Sequence, residues 1–221
     1  MGQVAVWLDT TFAQFDAFFF DFWHSVAEPI GLIFTPIMEA VSLTGTGGIC
    51  MIILALLLLC FPKTRKSGLC IAFAIAIGAI ITNAALKPLV ARTRPYEASS
   101  VFREYWQFVG AHSESDLSFP SGHTTATVAA MLALVFSGGK KYLYPAVPYI
   151  VLMCVSRNYL VAHYATDIIA GFIIGAVAAI LAALISTAIF NSISTHKDSN
   201  ICKAILTYGV DSIFKCNSSG E

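Results

Sequence analysis

Charged side chains are scarce in this sequence of 221 residues: 13 Lys and Arg balance 13 Asp and Glu, which together make up 12% of the chain. Without an excess of basic charge, the chain lacks the electrostatic field that recruits nucleic acid, so we expect no nucleic-acid partner. Hydrophobic residues account for 57%, and the mean hydropathy is +0.75, well away from soluble-domain usage. The composition favours an integral membrane protein.

Other absences narrow the function further. The six cysteines have no metal-ligand spacing and no carboxylates cluster, so the sequence predicts no metal site and no cofactor. No linker rich in Ser, Gly or Pro divides the chain, which indicates one domain over residues 1–221. The N-terminus lacks a basic region before an apolar core and an A-x-A-like cleavage site, so we expect no removable signal peptide.

Apolar runs of roughly 20 residues, the length of a membrane-spanning helix, recur along the chain. A weaker run, His24–Leu43, carries glutamates and prolines that are costly or kinking in lipid. We predict an all-α, six-helix membrane bundle over residues 24–190, with five spans as the alternative. The five clear runs are Thr46–Pro62, Gly68–Leu86, Gly122–Gly138, Tyr142–Leu160 and Ala165–Phe190.

The two ends of the chain differ from this core. Trp7–Trp23 is rich in Phe with interspersed Asp, which is typical of an amphipathic helix lying in the membrane interface, and we predict one over residues 1–23. The tail, residues 191–221, contains a loosely amphipathic stretch at Ile201–Phe214, to which we attach no function.

Orientation follows from the basic loops, because Lys and Arg concentrate on the cytoplasmic side. Lys63–Lys66 and Gly138–Lys141 join successive spans, so we expect both loops and, with six spans, both termini in the cytoplasm. The opposite face then holds further cations, which indicate either an inverted orientation or an anion site; we favour the anion site. These cations are Lys87, Arg92, Arg94, Arg103 and Arg157.

The first polar cluster is Lys87-Pro-Leu-Val-Ala-Arg-Thr-Arg94-Pro95, at the end of the third span. Lys87 and Arg94 are seven residues apart, so two helical turns would place them on one face, and Pro95 should end the helix. By itself, such a cluster could equally anchor a span in the headgroups.

The second cluster, Pro120-Ser121-Gly122-His123, opens the fourth span. Ser121 is a good N-cap, and Gly122 allows a ligand to approach the backbone closely. The unpaired amides and positive dipole end of a helix N-terminus suit phosphate, with His123 in the first turn. The alternative is an ordinary capped helix with an interfacial histidine.

The third cluster is Ser156-Arg157 followed by His163 and Asp167. If the stretch is helical, a spacing of four lets Asp167 accept a hydrogen bond from one imidazole nitrogen of His163, leaving the other nitrogen basic. Histidine could then act as a nucleophile. The alternative is a His–Asp pair that only locks two helices together. Six-span topology places all three clusters on one face, where they can meet.

These segments match the K-x6-R-P, P-S-G-H and S-R-x5-H-x3-D motifs, and the chain resembles the type 2 phosphatidic acid phosphatase (PAP2) superfamily. The resemblance implies a metal-independent lipid phosphatase in which His163 attacks phosphorus, His123 protonates the leaving oxygen and Asp167 orients His163. The phosphate-binding residues it implies are Lys87, Arg94, Ser121, Gly122 and Arg157.

Two other classes of protein share parts of this pattern. Vanadate-dependent haloperoxidases share the pattern but are soluble, and a transporter should show repeated halves and charges near the bilayer centre, which this sequence lacks. For the lipid we favour undecaprenyl diphosphate, ahead of phosphatidic acid and phosphatidylglycerophosphate. The loop Tyr96–Phe119, with Trp106, His112, Glu114 and Asp116, should cover the pocket on the extracytoplasmic face of the cell membrane.

Overall fold

The computed structural model describes residues 2–196 and positions 199, 202 and 207, and within this part of the chain the protein consists of helices joined by loops, without a strand. The predicted all-α class is therefore confirmed. Most of the predicted tail, residues 191–221, lies outside the described residues. The α-helices are α1 (Gln3–Thr11), α2 (Ala13–Gly45), α3 (Ile49–Leu59), α4 (Arg65–Ala79), α5 (Lys87–Val90), α6 (Pro95–Ala98), α7 (Ser100–Phe108), α8 (Gly122–Gly138), α9 (Leu143–Tyr159) and α10 (Ala165–Thr195).

Five helical passes connect the two ends of the bundle within residues 2–196: the second half of α2 together with α3, and then α4, α8, α9 and α10. The α4 pass continues through a π-helical segment, Ile80–Leu86, into α5. Three stretches are long and apolar enough to cross a membrane, Ala13–Leu59, Arg65–Ala98 and Ala165–Thr195, while α8 is a shorter apolar helix. These helices make the chain an integral membrane protein.

The count of six spans is not confirmed, because α2 does not make a separate crossing. Its first half stays at one end of the bundle, where Asp16 accepts a hydrogen bond from the Thr166 amide at 2.9 Å and Trp23 packs edge-on against Tyr159. Its second half then descends along α9. The second half of α2 and α3 thus form one pass, where the sequence predicts two separate spans, His24–Leu43 and Thr46–Pro62.

The N-terminus also lies elsewhere than predicted. The Gly2 amide donates to the Val90 carbonyl at 3.3 Å, at the end where α5 stops, and α1 and α2 follow there with a break at Phe12. Since α10 runs from that end to the other, the first and last described helices start and finish at opposite ends of the bundle. The expectation that both termini lie on one side of the membrane stays a prediction, because the last residues of the chain lie outside the described part.

The bundle centre is formed by α4, α8 and α10, which pack closely through small residues. A Cβ added to Gly171 would lie 2.7 Å from the Ser121 carbonyl oxygen, and one added to Gly175 would lie 2.7 Å from that of Thr125. Such close approach is the usual role of small residues between membrane helices. It fixes the start of α10 against the start of α8.

The two basic loops lie together at the other end. A Cβ on Gly138, in the turn after α8, would come within 3.4 Å of Ser67 Oγ in the first turn of α4. The polar clusters therefore gather at one end of the bundle and the basic loops at the other, as the sequence predicts.

Candidate active site

A cavity of about 510 Å³ opens at the end of the bundle that carries the polar clusters. The end of α2, the π-helical segment, the loop before α8 and the start of α8 surround it. Of the predicted site residues, the cavity is lined by Lys87, Arg94, Gly122, His123 and His163. Ser121, Arg157 and Asp167 lie behind this wall.

The first cluster reaches the cavity by a different route from the one predicted. The helix ends at Val90, because Ala91 adopts the left-handed conformation with φ of 51°, and Pro95 begins α6 instead of ending the previous helix. Lys87 and Arg94 therefore do not share a helical face. The turn between them nevertheless brings both side chains to one carboxylate, that of Asp116.

The second cluster begins α8 as predicted. Ser121 is fully buried and caps the helix, with its Oγ accepting from the Thr124 amide at 3.4 Å. Gly122 leaves room beside it, since an added Cβ would lie 3.8 Å from Lys87 Nζ. His123 packs so closely against the end of α2 that a Cβ on Gly45 would lie 2.8 Å from its ring.

Arg157, at the end of α9, lies on the far side of the cavity wall. Its guanidinium donates to Ser42 and Glu114, and its Nε is buried without a hydrogen-bond partner. It lines a second cavity, of about 450 Å³, between α2 and the loop before α8. Glu114 borders both cavities and separates them.

His163 stands two residues before α10 and is almost fully buried. Its Nδ1 lies 2.8 Å from the Ser118 carbonyl oxygen, and its Nε2 lies 3.1 Å from an Arg94 nitrogen. A carbonyl can only accept and a guanidinium can only donate, so these contacts assign the proton to Nδ1 and the lone pair to Nε2. The unprotonated nitrogen is thus the one on the cavity side.

Asp167 does not make the predicted direct hydrogen bond with His163. Its Oδ2 lies 3.7 Å from Nδ1, beyond hydrogen-bond distance. This oxygen instead accepts from Ser118 Oγ at 2.6 Å and from the Tyr164 amide at 3.1 Å. Because His163 precedes the helix while Asp167 is in its first turn, the spacing of four does not bring the two side chains face to face.

Two carboxylates from the loop before α8 occupy the space between the cations. Glu114 bridges the guanidiniums of Arg94 and Arg157, and Asp116 contacts Lys87 and Arg94. Burial by itself would raise the pKa of Glu114, but the nearby positive charges, first that of Arg157, together outweigh it and the pKa falls to about 2. For Asp116, Lys87 and Arg94 likewise overcome burial and lower the pKa.

The arrangement combines the charges and donors that suit a multiply charged anion. Three buried cations contact the two carboxylates. The N-terminus of α8 borders the same cavity, as does His163, whose unprotonated Nε2 accepts from Arg94. Guanidinium forks and an ammonium group are the side chains that bind phosphate most effectively. A phosphoryl group in place of the loop carboxylates would lie beside a nucleophilic nitrogen.

Sequence reasoning missed two of the groups that build this site. The Ser118 carbonyl belongs to the backbone, and no residue type signals its role. Arg92 was recognised only as a cation on the outer face, yet it is fully buried and binds Asp167 Oδ1 at 2.6 Å. Arg92 and Arg94 are two residues apart, and this spacing does not predict that Arg92 binds Asp167 while Arg94 binds Asp116.

A sequence profile of the PAP2 superfamily matches residues 67–190, more than half of the chain and all three clusters. The chain belongs to the PAP2 superfamily. This membership confirms the resemblance that the three motifs indicate.

The names of similar curated proteins refer to different lipid substrates. The chain is 29% identical over 119 residues to an undecaprenyl-diphosphatase of Sulfolobus acidocaldarius, covering 54% of this chain and 55% of that one. It is 34% identical over 113 residues to the decaprenylphosphoryl-5-phosphoribose phosphatase of Mycolicibacterium smegmatis, covering 50% and 55%. The chain thus spans little more than half the length of these relatives.

The fold has a solved counterpart. A transmembrane PAP2-type phosphatidylglycerolphosphate phosphatase from Bacillus subtilis superimposes with a TM-score of 0.60 over 84% of this chain and 92% of that one. At 22% identity the likeness concerns the fold, and it supports the membrane-embedded helical architecture of this PAP2 chain.

Proposed function

We propose that this PAP2 protein hydrolyses the phosphate of a membrane lipid through a phosphohistidine intermediate on His163. The observation that carries the proposal is the hydrogen bonding of His163, whose Nδ1 proton goes to the Ser118 carbonyl while Nε2 borders the cation-lined cavity. A histidine held in this tautomer presents a lone pair to a bound phosphoryl group.

In the first step, the phosphoryl group takes the place of the loop carboxylates among Lys87, Arg94 and Arg157. The Gly122 amide and the α8 N-terminus, capped by Ser121, complete the cradle. His163 Nε2 then attacks phosphorus, a P–N bond forms and the P–O bond to the lipid breaks. The cations neutralise charge on the transferring group, which is the main catalytic requirement of phosphoryl transfer.

His123 donates the proton that the departing oxygen requires, since it lines the same cavity from the first turn of α8. A water molecule then attacks phosphorus and returns a proton to His123, the P–N bond breaks, and inorganic phosphate leaves with Nε2 of His163 unprotonated again. Asp167 acts on His163 indirectly, through Ser118, rather than as a direct hydrogen-bond acceptor.

We propose that no metal ion participates, because Lys87, Arg94 and Arg157 supply the positive charge that Mg²⁺ provides in other phosphoryl-transfer enzymes. Within the described residues, no group of three or more His, Cys, Asp or Glu side chains is arranged to hold a metal. Activity that persists in EDTA would agree with this proposal, and strong inhibition by EDTA would contradict it.

For the substrate we propose undecaprenyl diphosphate. A cavity at the end of a membrane bundle suits an amphiphile whose phosphate enters while its chain stays in lipid, and two of the relatives are named for polyprenyl-linked substrates. The basic loops at the opposite end support an extracytoplasmic active site. Phosphatidic acid and phosphatidylglycerophosphate are the alternatives.

The test is phosphate release by the detergent-purified full chain from these three lipids, with EDTA present throughout. We expect release from undecaprenyl diphosphate to be fastest and His163→Ala to lower it by at least about 10³-fold, as for loss of a nucleophile. His196→Asn, at the far end of α10, is the matched control and should retain full activity.

Folding of His163→Ala is checked by its thermal unfolding midpoint. Unchanged release by this variant would contradict the mechanism, and bromination that depends on added vanadate would favour the haloperoxidase alternative.

A further inference from the structure

Arg92 forms a charged cluster behind the active site. Its side chain has no exposed surface. Its Nε donates to Asp9 at 2.8 Å, one terminal nitrogen donates to Asp16 at 2.9 Å, and the other reaches Thr166 at 2.7 Å and Asp167 at 2.6 Å. The guanidinium therefore joins the two N-terminal helices to the first turn of α10.

This cluster differs from an ordinary structural ion pair because hydrogen bonds connect it to His163 through Ser118. Asp167 binds Arg92 through Oδ1 and accepts the Ser118 hydroxyl through Oδ2. The Ser118 carbonyl in turn accepts the Nδ1 proton of His163. The Ser118 amide also donates to the Arg92 carbonyl at 2.9 Å, so backbone and side chain of Arg92 both hold the residue that sets the tautomer.

Two members of the cluster come from outside the region that defines the superfamily. Asp9 and Asp16 precede the matched residues 67–190. Asp16 is 2% exposed and, besides Arg92, accepts from the Thr166 amide at 2.9 Å and from the Thr166 hydroxyl at 2.8 Å. The N-terminal helices thus contribute a buried charge to the support of His163.

We propose that Arg92 is a positioning residue for the nucleophile, held in place by Asp16. It binds Asp167 on the side away from His163, so that the Ser118 carbonyl, and not the Asp167 carboxylate, receives the Nδ1 proton. The consequence for catalysis rests on the proposed function of His163; the consequence for its tautomer does not.

The effect of removing Arg92 follows from the electrostatics of burial. Arg92→Gln leaves Asp16 and Asp167 buried without their cation, which is strongly unfavourable. Asp167 Oδ2, 3.7 Å from His163 Nδ1, then competes with Ser118 for this nitrogen. Arg92 does not line the cavity and makes no contact with the phosphate cradle, so phosphate binding should be preserved.

The first test is kinetic, on the detergent-purified full chain. We expect Arg92→Gln to lower kcat by about 10- to 100-fold, the usual effect of removing an outer supporting partner, while KM and inhibition by inorganic phosphate stay unchanged. Combined with Asp167→Asn, it should cost no more than Asp167→Asn by itself, because both act through one path. Additive losses, or a change confined to KM, would overturn the proposal.

A second variant covers the case in which Arg92→Gln does not fold. Asp16→Asn keeps an oxygen for the Thr166 amide but removes the charge that fixes Arg92, so kcat should fall while phosphate inhibition is preserved. Asp21→Asn is the matched control, because Asp21 lies on the same helix and contacts only the Tyr105 hydroxyl at 3.0 Å among the described side chains. Equal kcat for the two variants would contradict the role of Asp16.

The tautomer of His163 is a readout that does not depend on activity. In ¹⁵N-histidine NMR spectra, with the signal assigned by its loss in His163→Asn, we expect the Nδ1–H form in the wild type and a changed tautomer signal in Arg92→Gln or Asp16→Asn. An unchanged signal in both variants overturns the inference. Absence of phosphate release by the wild type with a shifted tautomer in the variants would reject the proposed function but not the positioning role.

Discussion

At the scale of single residues, the tautomer of His163 depends on a backbone group as much as on side chains. The Ser118 carbonyl fixes the Nδ1 proton of His163, and Asp167 contributes by holding the Ser118 hydroxyl. A backbone carbonyl keeps its role under most substitutions. We therefore expect Ser118→Ala to lower activity less than Asp167→Ala, which also leaves Arg92 without a buried partner.

His123 allows a specific test of proton donation. Its replacement by Gln should lower kcat for a lipid phosphate by about 10²- to 10⁴-fold, the usual contribution of a general acid. With p-nitrophenyl phosphate, whose leaving oxygen needs no proton, the loss should be much smaller. The measurement is the ratio of kcat values for the two substrates in wild type and variant; an equal loss for both would exclude His123 as the acid.

The residues predicted from motifs and those found only in the structure differ in kind. His163, Lys87 and Arg94 were predictable because the spacing of charged groups in an apolar sequence is unusual and therefore informative. The partner of the His163 Nδ1 proton was not, since hydrogen bonding to a carbonyl depends on the path of the loop. The predicted roles of the motif residues stay predictions until the variants are measured.

Among the elements, the loop before α8 has the most direct influence on binding. Its carboxylates Glu114 and Asp116 occupy the cradle that we assign to phosphate, so a substrate must displace them. Glu114→Gln should strengthen inhibition by inorganic phosphate at pH 7 by at least about tenfold, since a hydrogen bond to a charged group contributes about 1.5–3 kcal/mol. Glu97→Gln, at an exposed position of α6, is the matched control and should show wild-type inhibition.

The difference in phosphate inhibition between Glu114→Gln and the wild type has a defined pH dependence. The pKa of Glu114 is lowered to about 2, so its ionised form stabilises the closed loop above the unfolded-state pKa of about 4.3, and this contribution is lost only as the pH falls toward 2. The ratio of phosphate inhibition constants between variant and wild type should therefore be the same at pH 5 as at pH 7. A ratio that has already collapsed at pH 5 would contradict the lowered pKa.

Helix packing provides a stability prediction. Gly175→Ala places a Cβ 2.7 Å from the Thr125 carbonyl oxygen and should destabilise the protein by about 1–3 kcal/mol, the usual cost of overpacking. Gly31→Ala is the matched control, because its Cβ would meet its nearest neighbours only at 3.7 Å, and helix propensity favours Ala by up to about 1 kcal/mol. Thermal unfolding midpoints in detergent should fall for the first variant and not for the second.

Most helices can be predicted from the sequence, but the path of α2 across the end of the bundle cannot. The start of α8 at Gly122 and of α10 at Ala165 agree with the predicted boundaries, since capping and proline signals are local. Whether an apolar helix crosses the membrane or lies along one end depends on its partners. For α2 these are Tyr159, Thr166 and Arg92, none of which its own sequence reveals.

For the whole molecule, five passes place the N-terminus and the basic loops at opposite ends. If the active site is extracytoplasmic, a membrane-impermeant maleimide should label Gln3→Cys in intact cells and Lys140→Cys only after permeabilisation, both in a cysteine-free background. Both positions are exposed. Protection of Gln3→Cys in intact cells would contradict the five-pass arrangement or its orientation.

The hydrogen bond between Asp16 and Thr166 also has a consequence for biogenesis, because it joins residues 150 positions apart. During synthesis, the first helices reach the membrane long before α10 exists, and the buried charges of Arg92 and Asp16 lack one of their partners until the last pass is inserted. The support of His163 is therefore completed only when nearly the entire chain is in place. Truncated or partly inserted chains that lack α10 therefore contain Arg92 and Asp16 without the Thr166 and Asp167 side chains that complete the cluster.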